Sequence, residues 1–203
     1  MKIICIGRNY RDHAKELGNE VPSEPVIFLK PDSSLLKPGQ VFFLPDIFKD
    51  VHHEVEIVVR IGRNGKHIAE RFAHKYYDEI GLGIDFTARD KQTELKQKGL
   101  PWELAKGFDG SAVVSFWILK SKLPPVQELD FSLENNGVTV QSGNSKAMIF
   151  SIDQMIAFVS QYYTLKMGDI LFTGTPSGVG PVKREDILTG YLMGNKVFQC
   201  RVK

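Results

Sequence analysis

The stretch VHHEVEIVVR, Val51 to Arg60, sets two glutamates into a run of branched apolar residues. Strand side chains alternate between faces, so Glu54 and Glu56 share a side. Two carboxylates that close raise each other's pKa unless a cation lies between them. Either this face is open to water or it holds positive charge. Val55, Ile57, Val58 and Val59 favour a strand covered on both sides, which weakens the wet alternative. A third carboxylate, Asp85, ends the apolar run IGLGID, where a loop would present it; taken alone, it reads as a plain helix N-cap. Three oxygen donors suit a hard dication: Mg2+, which takes octahedral ligands at about 2.0–2.1 Å and keeps positions for water or substrate, or Mn2+. His52 alternates with the glutamates and must share their face; its plainest reading is a strand histidine of no consequence. His13 and Glu16, three apart on a short helix, are within mutual reach. On their own they read as an exposed helix surface.

The elements that must position these groups follow from local pattern. KIICIG is a short buried strand. A helix over residues 9–18 follows, with Asn9 as N-cap and Gly18 just past its end. EPVIFLKP and VFFLP read as strands. Ala69, Phe72, Ala73, Tyr76 and Ile80 follow helical spacing. FTARDKQTELKQKG reads as a polar helix stopped by Gly99. LDFSLENNGVTVQSG is a hairpin turning at Asn136-Gly137. Ser151 and Gln154 form a capping-box pattern opening a helix with Ile152, Met155, Ile156, Val159 and Tyr163 on its apolar face. GDILFTGTPSGVGPV is a strand that runs into a glycine-rich loop. No repeat or linker interrupts residues 1–203, so the expectation is one α+β, strand-rich domain.

Charge and composition narrow the classes. The net charge of +2 comes with no long basic run, which gives no case for nucleic acid. No apolar segment approaches the roughly 20 residues that span a bilayer. The opening MKIICIGRNY is a poor secretory signal, and Cys5 and Cys200 fit reduced, buried thiols. The expectation is a cytoplasmic protein.

HHEVE, GIDFTARD, LPWELAKGFDG and LFTGTPSGVG, in this order and spacing, resemble the fumarylacetoacetate hydrolase superfamily. GRNYRDHAKE and SEPVIFLKP extend the similarity toward the N-terminus. The likeness is closest to the short single-domain acylpyruvate hydrolases. It implies a roll of mixed sheets with few helices, a homodimer, and a Mg2+ or Mn2+ ion held by Glu54, Glu56 and Asp85. It implies that Lys106 faces the substrate's oxo group, where a surface lysine after a helix is the plain alternative; beside three carboxylates, its charge also offsets theirs. Gln92 would hold substrate oxygens, and Thr175 the substrate carboxylate. Arg89, four residues after Asp85, would reach back to that carboxylate along a helix. His13 and Glu16 would sit on a lid and activate or position water. Val113 and Ser145 depart from residues common in such proteins, but neither is an implied ligand.

The implied chemistry acts on a small 2-oxo acid. Acylpyruvates would be cleaved by water, or oxaloacetate decarboxylated, through an enolate of pyruvate on the metal. The alternative is an isomerase or decarboxylase of unsaturated 2-oxo diacids such as 2-hydroxyhepta-2,4-diene-1,7-dioate. A weaker one is a protein that binds metal or ligand without catalysis.

Overall fold

The computed structural model describes residues 1–16, 18, 20–37 and 39–203. Along the chain the first half contains β1 (Ile3–Gly7), α1 (Arg11–Glu16), β2 (Val26–Lys30), β3 (Leu35–Leu36), β4 (Val51–His53) and β5 (Val55–Ile61). It continues with α2 (Glu70–Ala73), β6 (Tyr77–Asp85), β7 (Thr87–Ala88), α3 (Arg89–Gln97) and α4 (Glu103–Lys106). Then come β8 (Ala112–Val114), β9 (Ile118–Leu119), β10 (Asp130–Asn135), β11 (Val138–Asn144) and α5 (Ile152–Tyr162). The chain closes with β12 (Ile170–Phe172), β13 (Gly180–Pro181), β14 (Ile187–Leu192) and β15 (Asn195–Arg201).

The main sheet runs β2-β1-β12-β5-β6-β8-β3, with β9 also on β6. It is mixed: β1 and β12 are parallel, as are β3 and β8, while β5, β6 and β8 pair antiparallel. A four-stranded antiparallel sheet, β11-β10-β14-β15, and a small one, β13-β4-β7, complete a strand-rich roll with five short α-helices among the described residues. In β5, Val55, Ile57, Val59 and Ile61 enter the larger core, while Val58 enters a second cluster with Phe28, Ala112 and Phe172. The strand is therefore buried on both faces.

Several local patterns hold. Asn136 and Gly137 turn the β10–β11 hairpin with φ of 52° and 82°, as a type I′ turn requires. Ser151 and Gln154 form the reciprocal capping box of α5, and Ile152, Met155, Ile156 and Val159 are buried beneath it. Gly99 follows α3 with φ +63°.

Other expectations are corrected by long-range pairing. The strand over Val51–Arg60 breaks at Glu54, whose carbonyl accepts from the N–H of Asp85. The helix expected from Ala69 to Ile80 is one turn, Glu70–Ala73; Ile80 belongs to β6, where pairing with Val59 outweighs the helical spacing. VFFLP makes only an isolated bridge, Phe42 to Val202. The first helix spans Arg11–Glu16, and Leu17 lies outside the described residues. Asn9 does not cap it. Fully buried, Asn9 donates through Nδ2 to the carbonyls of Thr173 and Phe150 and accepts through Oδ1 from Phe150 N–H. A side chain satisfied in this way ties β1 to the glycine-rich loop rather than to its own helix.

Candidate active site

The β5–β6 register makes the acidic centre. Val55 opposes Ile84 and Glu56 opposes Gly83, so Glu54 falls opposite Asp85 just past the last pair. Opposed residues share a face of the sheet. One ligand atom from each of Glu54, Glu56 and Asp85 lies within 4.8 Å of the others, and all three residues are buried. Gly83, paired with Glu56, lets the neighbouring strand and Phe172 close in, since a Cβ there would meet Val113 O at 2.5 Å and Phe172 at 2.8 Å. Gly174 N–H donates to Glu56 Oε2 at 2.7 Å. Gly174 sits at φ +96°, and a Cβ on it would meet Asn9 Cβ at 2.7 Å. The loop can approach the carboxylate this way only as glycine.

Positive charge surrounds the cluster. Lys106, on α4, is buried and pairs with Glu54 Oε2 at 2.8 Å and Asp85 Oδ2 at 2.6 Å. It is not a surface lysine. Arg89 opens α3 and points not to Asp85 but to Glu54, its Nη2 on Oε1. Its Nη1 donates to Gln92 Oε1 at 2.7 Å. Helix α3 begins only at Arg89, so Asp85 precedes the helix instead of capping it.

Lys30, at the end of β2, was not singled out by pattern. Its Nζ lies 2.7 Å from Asp85 Oδ1 and donates to the carbonyls of Lys106 and Ser111 and to Ser111 Oγ. It thereby pins the backbone of Lys106. The signal available was a lysine ending an apolar strand, which ordinarily reads as its exposed end.

These neighbours pull the carboxyls apart in acidity. Burial opposes charge on Glu54, but Lys106, Arg89 and His13 outweigh it and hold the carboxyl well below its usual range. Burial, Asp85 and Glu54 together push Glu56 well above that range. Such a split marks crowded like charge that a cation would relieve. The donors fit a hard dication: all are carboxylate oxygens, and buried Asp85 Oδ1 makes no hydrogen bond among the described residues, its contact with Lys30 being misaligned for one.

Helix α1 closes over this region. His13 is buried, and its Nδ1 lies 3.1 Å from Glu16 Oε2. A carboxylate only accepts, so Nδ1 carries a hydrogen toward Glu16, and Nε2 is the ring nitrogen left to exchange a proton. The other Glu16 oxygen accepts from Gly178 N–H at 3.0 Å. A pocket of about 30 Å³, lined by His13, Glu54, Arg89, Gln92, Lys96 and Lys106 among others, lies beneath. That is room for a few waters. A wider cleft of about 540 Å³ flanks α1, bounded by Tyr10, Lys146 and Pro176, and carries none of these carboxylates.

Thr175, His52 and the adjacent His53 have partners within the fold. Thr175 is buried; its hydroxyl donates to Val55 O at 2.8 Å and accepts from Gln141 Nε2 at 2.9 Å. Its single hydrogen is committed within the fold. His52 pairs with Asp50 at 3.0 Å and is not part of the acidic cluster, and His53 meets Gln141. Cys5 is free, and burial, with Asp85, pushes its thiol up, which makes it a poor nucleophile. No described helix is long and apolar enough to cross a membrane.

The family model "Fumarylacetoacetate (FAA) hydrolase C-terminal" matches residues 2–198. The chain is 44% identical over 201 residues to "Oxaloacetate tautomerase FAHD1, mitochondrial" of Mus musculus, covering 99% of this chain and 91% of that protein. It is 43% identical over 188 residues to "Oxaloacetate decarboxylase, mitochondrial" of Dictyostelium discoideum, covering 92% and 86%. Among solved structures, fumarylpyruvate hydrolase from Pseudomonas aeruginosa in complex with Mn2+ and pyruvate superposes with a TM-score of 0.93 at 31% identity. That alignment covers 100% of this chain and 89% of the other.

Proposed function

The chain belongs to the fumarylacetoacetate hydrolase family, and on that premise we propose a Mg2+- or Mn2+-dependent enzyme of 2-oxo acids that cleaves acylpyruvates, decarboxylates oxaloacetate, or both. The observation that carries the proposal is the convergence of Glu54, Glu56 and Asp85 in a buried cluster beside the pocket lined by His13, which Glu16 in turn holds.

Glu54, Glu56 and Asp85 would hold the ion, which when bound polarises an oxo group and favours negative charge on its oxygen. Lys106 stays an ammonium: burial opposes its charge, but Asp85 and Glu54 outweigh burial and raise its pKa. It can therefore meet an oxyanion as charge develops. Gln92 has its carboxamide oxygen filled by Arg89, leaving its NH2 to donate to a substrate oxygen. His13, held by Glu16, takes a proton through Nε2 from the water that attacks the distal carbonyl of an acylpyruvate; the bond from that carbonyl to C3 then breaks, releasing the acyl group as a carboxylic acid and leaving the electron pair with pyruvate as its enolate. Loss of CO2 from oxaloacetate needs no such water, because the electron pair of the breaking bond passes directly toward the oxo carbon.

A second reading, tautomerisation of oxaloacetate, is favoured by the similarity to oxaloacetate tautomerases. It needs only proton movement at C3, for which the same imidazole serves. A homodimer is part of the proposal. It is supported by Phe116, 72% exposed beside an apolar groove of about 320 Å³ that includes Leu35, Leu36, Val114 and Trp117.

The test is turnover of acetylpyruvate and oxaloacetate by wild type and Glu54→Gln, with Mg2+ and with chelator. Metal-dependent loss of either substrate in wild type alone supports the proposal. Normal turnover by Glu54→Gln in chelator overturns it. If only the keto–enol ratio of oxaloacetate changes, the tautomerase reading replaces the hydrolytic one.

A further inference from the structure

Two cations beside the acidic centre make no ion pair or side-chain hydrogen bond among the described residues. Arg8, just past β1, holds φ at 60°, a region that residues other than glycine avoid. Its guanidinium lies 5.8 Å from the Trp102 ring centroid, and its Nε is buried without a hydrogen bond. Lys96, on the last turn of α3, places its ammonium 5.3 Å from the same centroid. Both line the pocket shared with His13, Gln92, Arg89 and Lys106. Among the described residues neither meets a carboxylate. The one acid lining that pocket, Glu54, is already taken by Lys106 and Arg89.

Strained backbone and crowded like charge persist where the surroundings hold them for a purpose. An aromatic face attracts cations without neutralising them. Burial, then the charges of Arg8 and Arg89, push Lys96 down to about 8. The pocket thus lacks an anion on this side. Phe28 and Trp102, with centroids 6.0 Å apart, line the way from Lys106, whose ammonium is 5.0 Å from the Phe28 ring. A short extended acid with its oxo end at the carboxylate centre would carry its far end toward Arg8 and Lys96.

We propose that Arg8 and Lys96, gathered on Trp102, form a subsite for the distal carboxylate of a dicarboxylic 2-oxo acid. The proposal rests on the 2-oxo acid function argued above and makes diacids the preferred substrates. A guanidinium and an ammonium lining one pocket suit a carboxylate through charge-assisted hydrogen bonds. The same charges give a substrate with a neutral acyl end nothing in return for desolvating them.

The experiment compares N-oxalylglycine with N-ethyloxamate, in which a methyl group replaces the distal carboxylate. Binding of each to Mg2+-loaded protein is measured by calorimetry for wild type, Arg8→Gln, Lys96→Gln and Lys96→Arg, with melting curves to verify folding. Wild type is expected to prefer the diacid by about 10-fold or more, and each Gln variant to lose most of that preference, a change of about 1.4 kcal/mol. Lys96→Arg is expected to keep it. In parallel, the ratio of kcat/KM for oxaloacetate to that for acetylpyruvate should fall in the Gln variants. Equal binding of the two analogues by wild type, or a preference untouched in the Gln variants, overturns the subsite while oxaloacetate turnover leaves the function standing. If wild type binds neither analogue and consumes neither substrate, the function itself falls and the subsite with it.

Discussion

Glu16 and Gly178, separated by 162 positions in the chain, meet in a single hydrogen bond of 3.0 Å from the Gly178 N–H to Glu16 Oε1. The other oxygen of the same carboxylate holds His13. One side chain therefore both latches α1 to the glycine-rich loop and sets the tautomer of the base.

That double role separates two substitutions. Glu16→Gln can still accept from Gly178 but loses the charge that supports His13. Acylpyruvate cleavage is expected to fall by about 10²-fold or more in kcat, the usual range for a lost acid–base group. Glu16→Ala should also release α1, read as faster amide exchange at Ala14, whose N–H bonds Tyr10 O. Equal exchange in both variants would separate the latch from the chemistry.

Metal binding should appear as stability. At about 100 times Kd, an ion that binds only the folded chain adds about 2.7 kcal/mol. For a chain of this size that is a rise in Tm of about 5–10 °C. Glu56→Gln should abolish the rise. Because Glu56 is raised by burial and by Asp85 and Glu54, removing its charge should leave the metal-free protein melting no lower than wild type. Differential scanning fluorimetry with and without Mg2+ checks both halves.

Gly83→Ala tests the register. Its Cβ would lie 2.5 Å from a backbone oxygen, Val113 O, which cannot swing aside like a side-chain tip. Overpacking of this kind costs about 1–3 kcal/mol, visible as a lower urea midpoint. Activity should fall as well, since Glu56 is paired across from Gly83.

Asp169 gives a pH dependence away from the site. Burial opposes its charge, but hydrogen bonds from Lys2 and Lys166, with the charge of Lys2, hold its carboxyl below the ordinary value. The folded chain thus binds this proton less readily than the unfolded one. The stabilisation is complete above the unfolded pKa of about 4 and is lost as pH falls through the depressed folded value. Asp169→Asn should be less stable than wild type by about 1–3 kcal/mol at neutral pH, with the gap closing in acid. Urea titrations across pH would show it.

Phe116→Asp addresses assembly. If the groove beside Phe116 is the interface between two copies, the charge should halve the mass measured by light scattering. An unchanged dimer mass would place the interface elsewhere.

Sequence alone carried what depends on near neighbours. The alternation around Glu54 and Glu56 set both carboxylates to one side, Asn136-Gly137 set its hairpin, and Ser151 with Gln154 set the start of α5. Each is a rule of a few residues' range, and motif likeness supplied the names of the remaining groups. The tertiary structure decided the partners. It broke the strand at Glu54, turned Arg89 to Glu54 instead of Asp85, gave Asn9 to Thr173 and Phe150, and sealed the Thr175 hydroxyl against Val55. It also brought Lys30 beneath Asp85 and set Arg8 and Lys96 on one ring. The physical reason is that a side chain's type and local face are set by adjacent backbone geometry, whereas its charge partner is whatever a distant strand or loop brings within a few ångströms, and only the closed sheet determines that.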